Sequence, residues 1–305
     1  MKMKRRELLR WGTGIAFGWV IGKGIVANLF QPSLKTDISK NHLSFPDGAS
    51  PLLRFMSVAD TGTGAEGQYA VSSAMVQYAQ QFPCELVVLA GDNIYNNGEI
   101  EKSKAVFEDP YRPLLEQGVP FYACLGNHDI RTDNGVPQTQ YPLFNMGGKR
   151  YYSFRRGSVQ FWALDTNSNA DWVNQLAWLK QELSQSDAPW KIVFGHHQIY
   201  SSAHYGLNTK LIETLTPLFQ KYGVQLYING HEHVYERTYA INGTTYLICG
   251  AGAGVRDVGR STWTAHSASR LSFAAYEVYE DRILVQAIGT DHQVFDRGVI
   301  GMGNG

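Results

Sequence analysis

Leu86-Val87-Val88-Leu89-Ala90-Gly91-Asp92-Asn93-Ile94-Tyr95 is an apolar run that stops on a carboxylate. Its aliphatic residues read as a short buried strand, and Gly91 as the turn that ends it. The arrangement recurs in both directions along the chain. Residues 52–59 run into Asp60-Thr61-Gly62, and residues 121–125 into Gly126-Asn127-His128-Asp129. Further on, residues 191–194 run into Gly195-His196-His197, and residues 224–228 into Asn229-Gly230-His231-Glu232-His233. Five predicted strands therefore end in side chains of the kind that ligate metals. The carboxyl ends of strands are where α/β folds gather their ligands.

Helical patterns fill the intervals at 68–81, 172–184 and 211–222. Residues 151–154 and 159–164, joined around Gly157, read as a hairpin, and 245–249, 273–279 and 283–288 as further strands. The chain is predicted to be α/β with mixed sheets. Gly250-Ala251-Gly252-Ala253-Gly254 lacks the Lys-Ser/Thr of a P-loop and reads as a close turn near the site.

Composition excludes some function classes. At 44% hydrophobic and 18% charged, the 305 residues are ordinary globular material. The formal net charge of zero hides an asymmetry: the first thirty residues hold six Lys/Arg and one Glu, leaving 21 basic and 26 acidic residues in the rest. That mildly acidic body speaks against a nucleic-acid polymer as partner. It leaves room for a small phosphorylated substrate drawn in by a cationic metal site. Cys84, Cys124 and Cys249 lie far apart and read as small buried hydrophobes, a single disulfide being the alternative.

Residues 1–31 have a charged front and a weakly apolar, Gly-rich continuation. Arg5-Arg6 followed by Leu8-Leu9 resembles a twin-arginine export signal, which implies periplasmic or extracellular localisation. A plain secretory signal or an uncleaved leader tethering the protein to a membrane are the alternatives. Residues 32–50 read as a linker, and residues 51–305 as the functional domain.

Each block alone is weak, but their order over residues 60–233 is specific: Asp-x-Gly, Gly-Asp-x-x-Tyr, Gly-Asn-His-Asp, Gly-His, Gly-His-x-His. It resembles the calcineurin-like metallophosphoesterase superfamily. Many members carry Asp-x-His in the first block; here the third residue is Gly62, and Tyr95 supplies a compensating group. This exchange, with His231-Glu232-His233-Val234-Tyr235-Glu236-Arg237 as a final block, resembles the small, single-domain purple acid phosphatases.

The resemblance implies a four-layer αββα sandwich with two mixed β-sheets. It implies one metal held by Asp60, Tyr95, His233 and a bridging Asp92, and a second held by Asp92, Asn127, His196 and His231. Two cations about 3.5–4 Å apart can clamp a phosphoryl group and generate a nucleophile from water. A phenolate ligand favours Fe(III), and the neutral Asn127 keeps the second ion divalent: Fe, Zn or Mn. His128 is expected beside the phosphate with Asp129 orienting its imidazole, and His204 as a second substrate-side histidine. His197 reads as a packing neighbour. The implied reaction is hydrolysis of phosphate monoesters by attack of a metal-bound hydroxide, at mildly acidic pH, releasing inorganic phosphate. A phosphodiesterase acting on nucleotides and a non-catalytic metal- or phosphate-binding protein are the alternatives.

Overall fold

Alternation along the strands decides the layering of this protein. The structure is a computed structural model and describes residues 50–302. Strands β1 (Leu53–Val58), β2 (Leu86–Leu89) and β3 (Phe121–Ala123) come first, with helices α1 (Glu66–Gln81) and α2 (Asp109–Glu116) between them. A short α3 (Val136–Gln140) leads to the hairpin of β4 (Tyr152–Arg156) and β5 (Val159–Ala163). Then follow α4 (Trp172–Gln185), β6 (Trp190–Phe194), α5 (Thr209–Tyr222) and β7 (Leu226–Asn229). Strands β8 (Tyr235–Thr238), β9 (Thr245–Cys249), β10 (Thr264–Ala268), β11 (Ser272–Val278), β12 (Arg282–Gly289) and β13 (Val294–Gly301) complete the described chain.

The strands form two mixed sheets, ordered β13-β12-β11-β1-β2-β3 and β10-β8-β9-β7-β6-β5-β4. The parallel strands are β1-β2-β3, at one end of the first sheet, and β9-β7-β6-β5, in the middle of the second. In the second sheet, Phe161, Ala163, Ile192, Phe194, Leu226 and Ile228 face the first sheet. Their neighbours Trp162, Leu164, Val193 and Tyr227 turn the other way, onto Leu179 and Leu183 of α4 and Leu211, Leu215 and Phe219 of α5. Successive Cβ atoms on opposite faces make this sorting automatic. The sheets meet through pairs such as Phe55 and Phe161, edge to face at 5.3 Å. Fully burying one side chain of this kind contributes about 1.5–3 kcal/mol.

Local signals fix the helix ends. Asp171 accepts the Asn174 amide at the start of α4, and Asn208 accepts the Leu211 amide at the start of α5. Gly223 closes α5 in the left-handed conformation. A further clasp joins the sheets: Asp296 on β13 takes two hydrogen bonds from Arg237 on β8, at 2.7 and 2.9 Å, and one from Tyr235 at 2.8 Å.

The predicted elements are present with ends displaced by a residue or two. Strands β8, β10 and β13 and helices α2 and α3 were not predicted. The three cysteines are free and buried, as small hydrophobes. The leader at 1–31, and the linker up to residue 49, lie outside the described residues. Among the described residues no helix is long and apolar enough to cross a membrane.

Candidate metal centre

The parallel strands deliver the candidate ligands to one edge. Asp60 follows β1, Asp92 and Tyr95 follow β2, Asn127 follows β3, His196 follows β6, and His231 and His233 follow β7. Asp60, Asp92 and His231 hold positive φ angles of 57°, 51° and 68°. Such angles are uncommon outside glycine and cluster where the surrounding fold imposes a site.

The side chains converge on two adjoining points. On one side, Tyr95 Oη lies 3.2 Å from Asp60 Oδ1, 3.0 Å from Asp92 Oδ2 and 3.2 Å from His233 Nε2. On the other, His196 Nε2 lies 3.1 Å from Asn127 Oδ1, 3.3 Å from His231 Nδ1 and 3.5 Å from the same Asp92 Oδ2. Asp92 is thus shared between the groups. Backbone amides hold the outer carboxylate oxygens: His128 N–H donates to Asp92 Oδ1 and His231 N–H to Asp60 Oδ2, both at 2.9 Å.

Two glycines permit this packing. A Cβ at Gly126 would collide with the Asp92 carboxylate and amide. At Gly62 it would stand 2.5 Å from Ile94 N and closer still to the Asn93 carbonyl. In place of a side chain, the Gly62 carbonyl accepts the Tyr95 amide at 2.8 Å. The Gly62 and Tyr95 pattern is therefore one steric arrangement: the missing side chain makes room for the loop that brings the phenol.

The donor set fits a pair of cations. Burial pushes the Asp60 carboxyl up to about 8, Asp92 adding to the push and His196 opposing it. Burial also acts upward on Asp92, but His196 and the His128 amide override it and hold that carboxyl far below the usual range. Burial acts downward on His196, yet Asp92 and Asp60 raise it to about 10. One imidazolium thus compensates one of two carboxylates, and ionising both calls for further positive charge. Burial, reinforced by other charges, lowers His231 to about 2 and His233 to about 4, leaving neutral imidazoles, the form that binds metals. Burial, with Asp60 and Asp92, raises the Tyr95 phenol well above its ordinary value, so only a strongly Lewis-acidic ion would ionise it.

Comparison with known proteins matches the chain and its fold to a family. The model of the calcineurin-like phosphoesterase family matches residues 53–235. The chain belongs to the calcineurin-like phosphoesterase family. A relative, tartrate-resistant acid phosphatase type 5 of Oryctolagus cuniculus, is 30% identical over 251 residues, covering 69% of this phosphoesterase and 76% of the relative. A purple acid phosphatase from yellow lupin (Lupinus luteus) superposes with a TM-score of 0.69 at 22% identity, over 83% of this chain and 54% of that one. GAP50, the anchor in the inner membrane complex of Plasmodium, superposes at 0.72 with 21% identity, over 83% and 89% of the two chains. At these identities the structures show the shared fold. The family and its acid phosphatase relatives make this phosphoesterase a phosphomonoester hydrolase built around a dinuclear metal centre.

Around the centre, one expectation needs correction. Asp129 does not orient His128. Its carboxylate is fully buried beneath the loop and accepts the amides of Gly126, Asn93 and Ile94, at 2.7, 2.9 and 3.1 Å, and the side chain of Gln138 at 3.0 Å. The short turn at Asp129–Arg131 directs it inward. His128 is instead oriented by the Asn96 carbonyl, 2.7 Å from Nδ1, which leaves Nε2 facing Asp92 at 3.9 Å. His204 is exposed in the lining of a cavity beside Tyr205, whose ring is stacked on the candidate ligand His231 at 4.4 Å and 18°.

The register of that loop is set by two buried carboxylates of the final block. Glu232 accepts the Tyr205 amide and the Ser201 hydroxyl, and Glu236 accepts the Ser202 amide and hydroxyl, each at 2.7 Å. His197 packs as expected, its Nδ1 2.9 Å from Thr166 Oγ1 and its ring 4.5 Å from His231. Two arginines escaped the sequence reading. Arg131 Nη2 reaches His128 Nε2 at 3.2 Å, and Arg256 Cζ lies 5.5 Å from the Tyr205 ring centre. Neither sits in a periodic pattern or a metal-type block, so nothing in the sequence singled them out.

Proposed function

We propose that this phosphoesterase hydrolyses small phosphate monoesters to inorganic phosphate at mildly acidic pH, outside the cytoplasm, with an Fe(III)–divalent metal pair. The observation that carries this reading is the double convergence about Asp92 Oδ2: Tyr95, Asp60 and His233 on one side, His196, Asn127 and His231 on the other. Asp60, Tyr95 and His233 would hold the trivalent ion, Asn127, His196 and His231 the divalent one (Fe, Zn or Mn), and Asp92 both. The buried phenol, raised by two carboxylates, supports the trivalent assignment, since a weaker Lewis acid would leave it protonated. When bound, such a pair neutralises charge on the phosphoryl oxygens and activates water for in-line attack.

The remaining work falls to side chains. Asn96 fixes the His128 ring so that Nε2 faces the centre. Protonated on both nitrogens, with Arg131 turned aside, the ring would donate to a phosphoryl oxygen or pass the Nε2 proton to the leaving alkoxide. Arg131, now on the same nitrogen, adds positive charge at that wall. Glu232 and Glu236 hold Tyr205 against His231 and so keep the opposite wall in register. The Arg5-Arg6 leader supports export, folded and metal-loaded, through a twin-arginine route.

Asp92→Ala removes the shared carboxylate and is expected to lower turnover of an aryl phosphate by at least about 10³-fold, with loss of bound metal. Full activity in that variant would sink the proposal. Tyr95→Phe should abolish a visible tyrosinate–iron absorption band; a colourless, iron-free, fully active protein would overturn the metal assignment.

A further inference from the structure

A cavity of about 770 Å³ opens beside the metal centre, lined by Ser202, His204, Tyr205, Arg256, Asp257 and Gly259 among others. One wall is the loop that stacks Tyr205 on His231. The other begins at Arg256, whose amide donates to the His233 carbonyl at 2.8 Å. The walls are tied together where Gly259 N–H donates to the Ser202 carbonyl at 3.0 Å. The cavity is therefore bounded by residues adjoining a candidate ligand of each metal.

Arg256 is the unusual member. Its Nη1 is buried and has no hydrogen-bond partner, and among the described residues its guanidinium forms no ion pair. Asp257, the one acid in the lining, is exposed and not paired with it. Arg256 Cζ lies 5.5 Å from the centre of the Tyr205 ring, and the same ring stacks on His231. The guanidinium and a candidate metal ligand are thus neighbours of one aromatic ring. A residue that lines the cavity thus carries a guanidinium with no anionic partner among the described residues. A planar fork of donors suits carboxylate and phosphate oxygens.

We propose that this cavity is a leaving-group subsite in which Arg256 binds a second anionic group, carboxylate or phosphate, on the alcohol portion of the ester. The inference rests on the phosphomonoesterase reading above and adds a substrate class to it.

Binding separates the two claims. Affinities of metal-loaded protein for benzylphosphonate and 4-carboxybenzylphosphonate, neither of which is hydrolysed, are measured by calorimetry. The carboxylated compound is expected to bind about tenfold more tightly, from one charge-assisted hydrogen-bonding pair. In Arg256→Gln the ratio should fall to about one, and Arg256→Lys, which keeps the charge, should recover about half of the logarithmic difference. 4-Phosphonobenzylphosphonate serves as the phosphate-type arm. Equal wild-type affinities for the plain and the charged compounds would overturn the subsite, whatever the activity. So would a ratio that survives in Arg256→Gln. Preserved discrimination with no turnover of phenyl phosphate or 4-carboxyphenyl phosphate would instead overturn the phosphomonoesterase reading and leave the subsite standing.

Discussion

Gly62→Ala tests the steric link between the first two sequence blocks. The added Cβ would lie 2.5 Å from Ile94 N, against a floor near 3.0 Å for real Cβ contacts, and nearer still to the Asn93 carbonyl. The obstacle is backbone, so the 93–94 peptide must retreat by at least roughly 0.5 Å, at an overpacking cost of about 1–3 kcal/mol. Tyr95 is on the same loop, and its amide bond to the Gly62 carbonyl, 2.8 Å, lies in the path of the movement. Its Oη contacts, now 3.0–3.2 Å, would open to roughly 3.5 Å, beyond useful hydrogen-bond range. Displacements of this size at a reacting centre cost up to about 10²-fold in rate. Gly62→Ala should therefore melt about 4–8 °C lower, for about 2 kcal/mol, and lose ten- to a hundredfold in kcat on an aryl phosphate. Gly62→His, the residue of many superfamily relatives, should be worse, because the peptide occupies the space its side chain would need. Wild-type melting and kcat in Gly62→Ala would show the contact to be compliant and refute the coupling.

Asp129→Ala leaves three buried amides unmatched and should cost at least about 3 kcal/mol in a denaturant melt, with weakened metal retention as the Asn127 and Tyr95 loops loosen. Normal stability with reduced kcat alone would instead restore a role on His128. Asp296 should contribute acid-dependent stability. Burial opposes ionisation, but Arg237 and Tyr235 outweigh it and depress the folded pKa. The contribution is thus present above the unfolded value, near 3.9, and is lost as pH falls through the folded one. Asp296→Asn should flatten the acid limb of stability against pH and cost about 3 kcal/mol at neutral pH; an unchanged limb would mean the inter-sheet clasp carries no weight.

How much of this was legible beforehand depended on the range of the interaction that fixes each feature. The central strands carry their signal locally: four to six apolar residues, then glycine or a polar turn. Because the parallel strands run the same way, their ends share an edge, and ligand-type residues there fall into one site. That is why Asp60, Asp92, Asn127, His196 and His231 stood out as metal-type residues at strand ends, their ligand roles being implied by the resemblance. Strand β8 could not, since its Glu236 and Arg237 are buried charges whose partners, on the 201–205 loop and on β13, are distant in sequence. Strands β10 and β13 are likewise defined by the strands they pair with.

The sequence by itself determined the α/β class with mixed sheets and the metal-type residues at the strand ends, which follow from local runs of residues and their terminating turns. The two-sheet sandwich and the exchange of histidine for Gly62 and Tyr95 were implied by the family resemblance. Only the tertiary structure decided where side chains beyond the strand ends point. Asp129 turns inward because three loop amides need an acceptor, and Tyr205 meets His231 because Glu232 and Glu236 hold the 201–205 loop by its amides. Arg256 reaches the centre through an irregular segment pinned to His233. The placing of a loop side chain is settled by long-range hydrogen bonds to buried groups, and those have no signature in neighbouring residues.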